Sequence, residues 1–114
     1  MKRVNTAQEE CREMNFPALA ALIADLPFSA EEFIVFFDED SGDYIQTTID
    51  LTDLDSESDR YLIETRRYAP DGSFIHYRCF ADNAELALAP FHAFYHDLPF
   101  SAEGWEDVSD EFVD

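Results

Sequence analysis

The chain has 114 residues, which fits a single domain, and 46% of them are hydrophobic, including 11 Phe and 5 Tyr. This composition excludes an intrinsically disordered chain, because disorder requires high charge together with low hydrophobicity. The 26 acidic residues outnumber the 7 basic ones and give a formal net charge of −19, which disfavours direct contact with nucleic acid or an anionic membrane and favours basic protein surfaces.

The first segment predicts two short helices. Thr6-Ala-Gln-Glu9 has the pattern of a capping box, so we expect a helix to begin there. Pro17 would destabilise the interior of that helix, so we expect it to lie in the first turn of a second helix. Four apolar residues recur at helical spacing in this second helix: Leu19, Leu22, Ile23 and Leu26.

Two β-hairpins are predicted in the middle of the chain. Residues 33–37 and 44–51 are rich in β-branched and aromatic residues and flank the turn cluster 38–43. Residues 61–68 and 74–80 flank Ala69-Pro-Asp-Gly72, which is strong turn chemistry. The second hairpin carries Arg60, Arg66, Arg67 and Arg78, and we expect these arginines to pair with acidic neighbours across strands.

A C-terminal helix completes the predicted elements. Asp82-Asn83 offers a helix cap, and residues 84–96 form the helix, which Pro90 is expected to interrupt early. The order predicts an α+β fold, with a four-stranded antiparallel sheet made of two hairpins packed against N- and C-terminal helices. We expect one domain, 1–114, with 103–114 as an acidic tail.

The heptapeptide DLPFSAE occurs twice, at Asp25–Glu31 and at Asp97–Glu103. Each copy follows an apolar helix end and supplies a proline stop and a serine that can cap a new helix. We interpret the repeat as a helix exit used twice. The alternative is that its Pro-Phe pair is an exposed docking element.

No catalytic or metal-binding pattern is recognisable. His92 and His96 stand at i and i+4, but no further ligand is near them in sequence. Residues 38–43 do not fit a calcium loop, because the positions that require Gly and Glu hold Asp43 and Ile49. With only 3 glycines the chain has no phosphate-binding loop. We therefore expect no enzyme activity, no cofactor and no metal.

The cysteines and the overall composition bear on location. Cys11 and Cys79 have no motif spacing and are expected to be reduced core residues. The sequence contains no run of roughly 18 apolar residues and no apolar N-terminal run. We expect a cytoplasmic protein of a bacterial host cell, without membrane contact.

The acidic residues form three clusters. If the middle cluster is extended, its carboxylates lie about 6.6 Å apart at ~3.3 Å per residue, a spacing of the order of that between successive phosphates. Fixed charges so spaced could occupy a cationic groove that binds phosphates. The candidate partner-binding residues are Asp38, Glu39, Asp40, Asp43, Asp53, Asp55, Glu57, Asp59, Glu103, Glu106, Asp107, Asp110 and Glu111.

These features predict a small acidic inhibitor that blocks a nucleic-acid-binding protein by mimicking the phosphate backbone. In size, charge and lack of catalytic motifs the chain resembles the class of phage-encoded DNA mimics, which includes anti-restriction and anti-CRISPR proteins. The resemblance implies a basic partner, such as a nuclease or a CRISPR or restriction component, and leaves a homodimer open. Three alternatives remain: an immunity protein or antitoxin neutralising a basic toxin such as a nuclease, an acidic secretion chaperone, and a salt-adapted domain.

Overall fold

The structure, a computed structural model, describes residues 2–6, 13–26, 33–50, 60–101 and 103–112. No helix within these ranges is long and apolar enough to cross a membrane. The elements in chain order are β1 (Lys2–Thr6), α1 (Phe16–Asp25), β2 (Ile34–Asp38), β3 (Tyr44–Asp50), β4 (Arg60–Tyr68), β5 (Phe74–Ala81), α2 (Ala84–Tyr95), β6 (Glu106–Asp107) and a 3-10 helix (Ser109–Phe112).

The strands form one antiparallel sheet in the order β1-β2-β3-β4-β5-β6. This confirms an α+β fold with an antiparallel sheet and two helices, but the prediction of four strands was wrong, because the sheet has six. The predicted hairpins are β2–β3 and β4–β5. The two additional strands, β1 and β6, lie at the two edges.

The strand β1 was not predicted, and it ends at Thr6, the residue at which we expected a helix to begin. Thr6 lies opposite Ile34, and Val4 lies opposite Phe36. Val4 and Thr6 are buried, whereas Lys2, Arg3 and Asn5 are only partly buried, so the segment alternates as a strand with one face on the core. The rest of the proposed capping box lies outside the described residues.

The strand β6 comes from the segment that we predicted as an acidic tail. Glu106 lies opposite Arg78, and Asp107 lies opposite Tyr77. Two exposed carboxylates at a sheet edge also discourage pairing with the edge of another molecule.

Both helices begin at asparagine caps. The side chain of Asn15 accepts a hydrogen bond from Ala18 N at 2.9 Å, with Pro17 in the first turn. The side chain of Asn83 accepts one from Leu86 N at 2.9 Å. The predicted interruption of α2 by Pro90 was wrong, because the helix continues through this residue to Tyr95.

The core lies between one face of the sheet and the two helices. Inward residues from neighbouring strands, such as Phe36, Ile45 and Ile63, form one cluster with residues of both helices, such as Leu19 and Phe91. The hydroxyl of Tyr61 donates to Ile23 O at 2.6 Å and ties β4 to α1. On the opposite face of the sheet, the described residues include the 3-10 helix, whose Glu111 pairs with Arg78.

Candidate acidic interface

The two hairpin tips lie at the same end of the sheet. Tyr44, at the start of β3, lies opposite Arg66, near the end of β4. The tips 39–43 and 69–73 are therefore neighbours, and we call this end of the sheet the turn end. It also receives the end of α2, because Lys2, opposite Asp38, forms an ion pair with Asp97 at 2.6 Å.

The β2–β3 turn uses some of its carboxylates as structural acceptors. Asp38 Oδ1 accepts a hydrogen bond from Asp40 N at 2.9 Å. Asp43 Oδ1 accepts one from Tyr68 N at 2.8 Å and so ties this turn to the neighbouring strand β4. Gly42 has a φ of 84°, which a residue with a side chain rarely adopts. Glu39 and Asp40 are exposed at the tip.

The β4–β5 turn adds Asp71, which was not among the predicted site residues. Its Oδ1 accepts hydrogen bonds from Ser73 N at 2.9 Å and from Ser73 Oγ at 2.6 Å. These hydrogen bonds hold the pKa of Asp71 below its usual value. The turn chemistry of residues 69–72 located this aspartate, but only the sheet register shows that it neighbours the other acidic turn.

The acidic C-terminal segment runs toward the same end. Because β6 is antiparallel to β5, the chain moves from Glu106 toward the turn end. Val108 N donates to His76 O at 2.8 Å, and His76 N donates to Ser109 Oγ at 2.8 Å. The 3-10 helix that carries Asp110 and Glu111 follows directly.

A second aspartate–serine turn fixes this segment. Asp107 Oδ1 accepts hydrogen bonds from Ser109 N at 3.0 Å and from Ser109 Oγ at 2.6 Å. They lower the pKa of Asp107, as the equivalent bonds do for Asp71. The carboxylates of the turn end are therefore held on a hydrogen-bonded frame.

We define the acidic rim as the acidic side chains gathered at the turn end. Of the predicted site residues, Glu103 and Glu106 lie along the β6 edge outside the rim. Asp107 and Glu111 lie at its border, because Glu111 pairs with Arg78, which is opposite Glu106. The middle cluster, Asp53, Asp55, Glu57 and Asp59, lies outside the described residues. The members of the rim are Asp38, Glu39, Asp40, Asp43, Asp71, Asp97 and Asp110.

Ion pairs offset part of the rim charge. Lys2 pairs with Asp97 at 2.6 Å, and Arg78 pairs with Glu111 at 3.2 Å. Arg3 pairs with Glu39. Arg78 also lies 3.6 Å from Glu64 on the neighbouring strand, which is the cross-strand pairing expected of the arginines.

The other arginines of the second hairpin lie over aromatic rings. The guanidinium of Arg60 is 4.1 Å from the ring centre of Phe80, and that of Arg66 is 4.0 Å from that of Phe74. Arg67 lies 4.8 Å from the Phe94 ring and 4.7 Å from the Phe100 ring. Cation–π contact was not predicted, because it depends on which side chains share a face.

Among the described residues, no group of three or more His, Cys, Asp or Glu side chains is arranged to hold a metal ion. The rings of His92 and His96 lie 4.4 Å apart, and Phe16 packs edge-on against His92. Cys79 is a free thiol, half-buried beside the core. Cys11 lies outside the described residues.

Comparisons with protein-family models, with curated proteins and with solved structures each find no match to this chain.

Proposed function

We propose that this protein is an inhibitor that places its acidic rim in the cationic cleft of a nucleic-acid-binding protein. The observation that supports the proposal is the convergence of acidic residues from three separate parts of the sequence at one end of the sheet. The two hairpin tips and the C-terminal segment meet there through strand order and register.

A rigid anionic surface can imitate a phosphate backbone. Hydrogen bonds to backbone N–H groups fix Asp38, Asp43 and Asp71 in place, so their charges need little ordering when a partner binds. Lysine and arginine side chains that bind phosphates would gain similar charge-assisted contacts from carboxylates.

An immunity protein that neutralises a basic toxin, such as a nuclease, is the second candidate. The feature that favours it is the presence of exposed hydrophobic side chains between the rim carboxylates: Tyr68 is 38% exposed and Ile75 is 45% exposed. Buried aromatic anchors at the centre of an interface are typical of tight protein–protein complexes. The second candidate therefore predicts one dedicated partner, in whose complex these side chains are buried.

The test compares two triple variants that remove the same number of charges. The rim variant is Glu39→Gln with Asp40→Asn and Asp110→Asn, and the control, at exposed sites toward the other end of the sheet, is Asp25→Asn with Asp82→Asn and Glu85→Gln. Partners captured from a bacterial lysate are purified, and displacement of their DNA is measured by mobility shift. Wild type and the control should displace DNA, whereas the rim variant should require a roughly tenfold or higher concentration.

Salt supplies a second readout. Displacement by the wild type should weaken steeply between low and physiological ionic strength, because phosphate-binding clefts attract anions electrostatically. If both triple variants inhibit equally, or if the partners bind with no effect on their DNA contacts, the proposed mechanism is wrong. If the protein binds a single toxin, Tyr68→Ala abolishes that binding, and DNA-binding proteins are not inhibited, then the protein is an immunity protein and not a DNA mimic.

A further inference from the structure

An apolar cavity of about 490 Å³ lies between α2, the inner face of β4 and β5, and residues 98–101 and 103–105. Its walls include Ile45, Ile63, Cys79, Leu86 and Trp105. Two of its apolar lining residues remain substantially exposed: Leu86 and Leu98. The volume falls within the range of ordinary small-molecule sites, roughly 300–1,000 Å³.

The second DLPFSAE copy forms one wall of this cavity. Leu98, Pro99, Phe100, Ser101 and Glu103 all line it. Asp97 has a φ of 56°, and Leu98 N donates to Ala93 O at 2.9 Å, so the chain leaves α2 and folds back over the sheet. The repeated segment thus ends a helix and also encloses a site. The corresponding part of the first copy lies outside the described residues.

Among the described residues, Arg67 is the one cationic side chain that lines the cavity. Its guanidinium is held between the rings of Phe94 and Phe100, and its Nε donates to Thr65 Oγ1 at 3.0 Å. Within the described part of the chain, its two terminal nitrogens form no hydrogen bond or ion pair, although Asp43, which lines a neighbouring cleft with Asp38 and Asp97, interacts with the guanidinium electrostatically. A planar guanidinium with its fork unoccupied is suited to bind a carboxylate with two hydrogen bonds.

The charges around the cavity favour one orientation of a ligand. Arg67 lies at the turn end of β4, whereas Asp82 follows the opposite end of β5. Glu103 precedes β6 and lies toward the same side as Asp82. Arg67 attracts an anionic head, although Asp43 on the rim side offsets part of its charge. Asp82 and Glu103 repel an anion from the opposite end, where Leu86 can contact a hydrocarbon tail.

We propose that this cavity binds an amphipathic monocarboxylate, with the carboxylate on the Arg67 fork and the hydrocarbon chain between α2 and the β4–β5 hairpin. This site adjoins the acidic rim at Arg67 but does not depend on the inhibitor function. Burial of the hydrocarbon against side chains such as Ile63 and Trp105 supplies the apolar part of the affinity.

The experiment compares decanoate with decanol by titration calorimetry on the full chain, below the micelle concentration of decanoate and below the solubility limit of decanol. We expect one decanoate per chain, bound about tenfold more tightly than decanol, because only decanoate forms charge-assisted hydrogen bonds with Arg67. Decanoate affinity should rise with added salt, since salt screens repulsion between the anion and a chain of net charge −19. Absence of saturable binding, or equal affinity for both probes, would overturn the proposal.

Two variant pairs locate the site. Ala93→Leu fills the cavity and should abolish decanoate binding, whereas Ala21→Leu, at an exposed position of α1, should not. Arg67→Gln should bring decanoate affinity down to that of decanol, whereas Arg66→Gln, which removes a charge from the other face of β4, should leave the difference intact. Thermal melting verifies that each variant is folded. If Ala93→Leu and Ala21→Leu bind decanoate equally, the ligand does not occupy this cavity.

The alkylation rate of Cys79, on the cavity wall, gives a test that does not depend on these variants. With Cys11→Ser, Cys79 is the remaining thiol of the chain, and it lines the cavity. Saturating decanoate should slow alkylation of Cys79 by N-phenylmaleimide several-fold. An unchanged rate in the presence of bound decanoate would place the ligand elsewhere and contradict the proposal.

Discussion

His76 shows how a single buried polar residue is accommodated on the outer face of the sheet. Only 1% of it is exposed. Arg66 Nε donates to its Nδ1 at 3.1 Å, so Nε2 carries the proton and lies 2.5 Å from Glu64 Oε2. Both ring nitrogens of the imidazole therefore have a hydrogen-bond partner. Its backbone also binds Val108 and Ser109, which places the residue under the C-terminal segment.

The variant His76→Phe keeps a buried ring but leaves Glu64 and Arg66 without this partner. We expect a loss of about 1–3 kcal/mol in the free energy of unfolding, because removing one partner exposes the full desolvation cost of the other. Urea denaturation should show a lower midpoint with an unchanged slope. The matched variant His92→Phe, at an exposed position of α2, should change stability by no more than about 0.5 kcal/mol. If both variants lose the same free energy of unfolding, the loss does not come from the hydrogen bonds of His76.

Cys79 gives a pH dependence with a defined sign. Burial raises the pKa of this thiol from 9.0 to about 11. The unfolded chain then releases the proton at lower pH than the native state, so this contribution to stability is present below pH 9.0 and is lost as pH rises through about 11. In a Cys11→Ser background, alkylation by iodoacetamide should therefore be half-maximal near pH 11. A midpoint near that of a free cysteine would contradict this expectation.

At the scale of elements, local signals predicted the hairpins but not the edge strands. Pro70, Asp71 and Gly72 specify a turn through their own backbone preferences, and the structure has that turn between β4 and β5. The strand β6 contains only Glu106 and Asp107, which have low strand propensity, and it exists because β5 offers an unpaired edge. The pairing of Thr6 with Ile34 in β1 was likewise not indicated by the residues around Thr6. Such pairings are tertiary and leave no local signature.

Pro90 is the clearest conflict between local preference and packing. It lies inside α2, where proline removes a backbone hydrogen bond, yet Ala87, Phe91 and Phe94 on either side of it are buried. Burial of this helix face therefore outweighs the local cost. We expect Pro90→Ala to raise the free energy of unfolding by about 2 kcal/mol, measured from the urea midpoint. The control Pro17→Ala, in the first turn of α1, should have a smaller effect, because proline is tolerated there. A lower midpoint for Pro90→Ala would show that the ring fills space that alanine leaves empty.

At the scale of the whole molecule, the sequence showed how many charges there are but not where they meet. The clusters 38–43 and 103–111 were identifiable from the sequence alone. Their convergence depends on strand order and on the direction of β6, and the contributions of Asp71 and Asp97 depend on register and on where α2 ends. The same reasoning explains the arginines, since three of the four in the second hairpin lie over rings that the sequence does not place beside them.

The net charge of −19 leads to a prediction about the stability of the whole chain. Mutual repulsion among carboxylates opposes folding, and salt screens it, with a Debye length of about 10 Å at 0.1 M. We expect the protein to be folded in dilute buffer and to gain about 1 kcal/mol, or about 4 °C in Tm, by roughly 0.2 M NaCl.

The charge variants extend this prediction to the rim. At low ionic strength, the variant Glu39→Gln with Asp40→Asn and Asp110→Asn should raise Tm more than Asp25→Asn with Asp82→Asn and Glu85→Gln. The reason is that the carboxylates it removes lie in the acidic rim. Melting curves at several salt concentrations measure both. A chain that is unfolded in dilute buffer and folds only in molar salt would instead identify a salt-adapted domain, in which the acidic residues serve hydration and carry no specific surface.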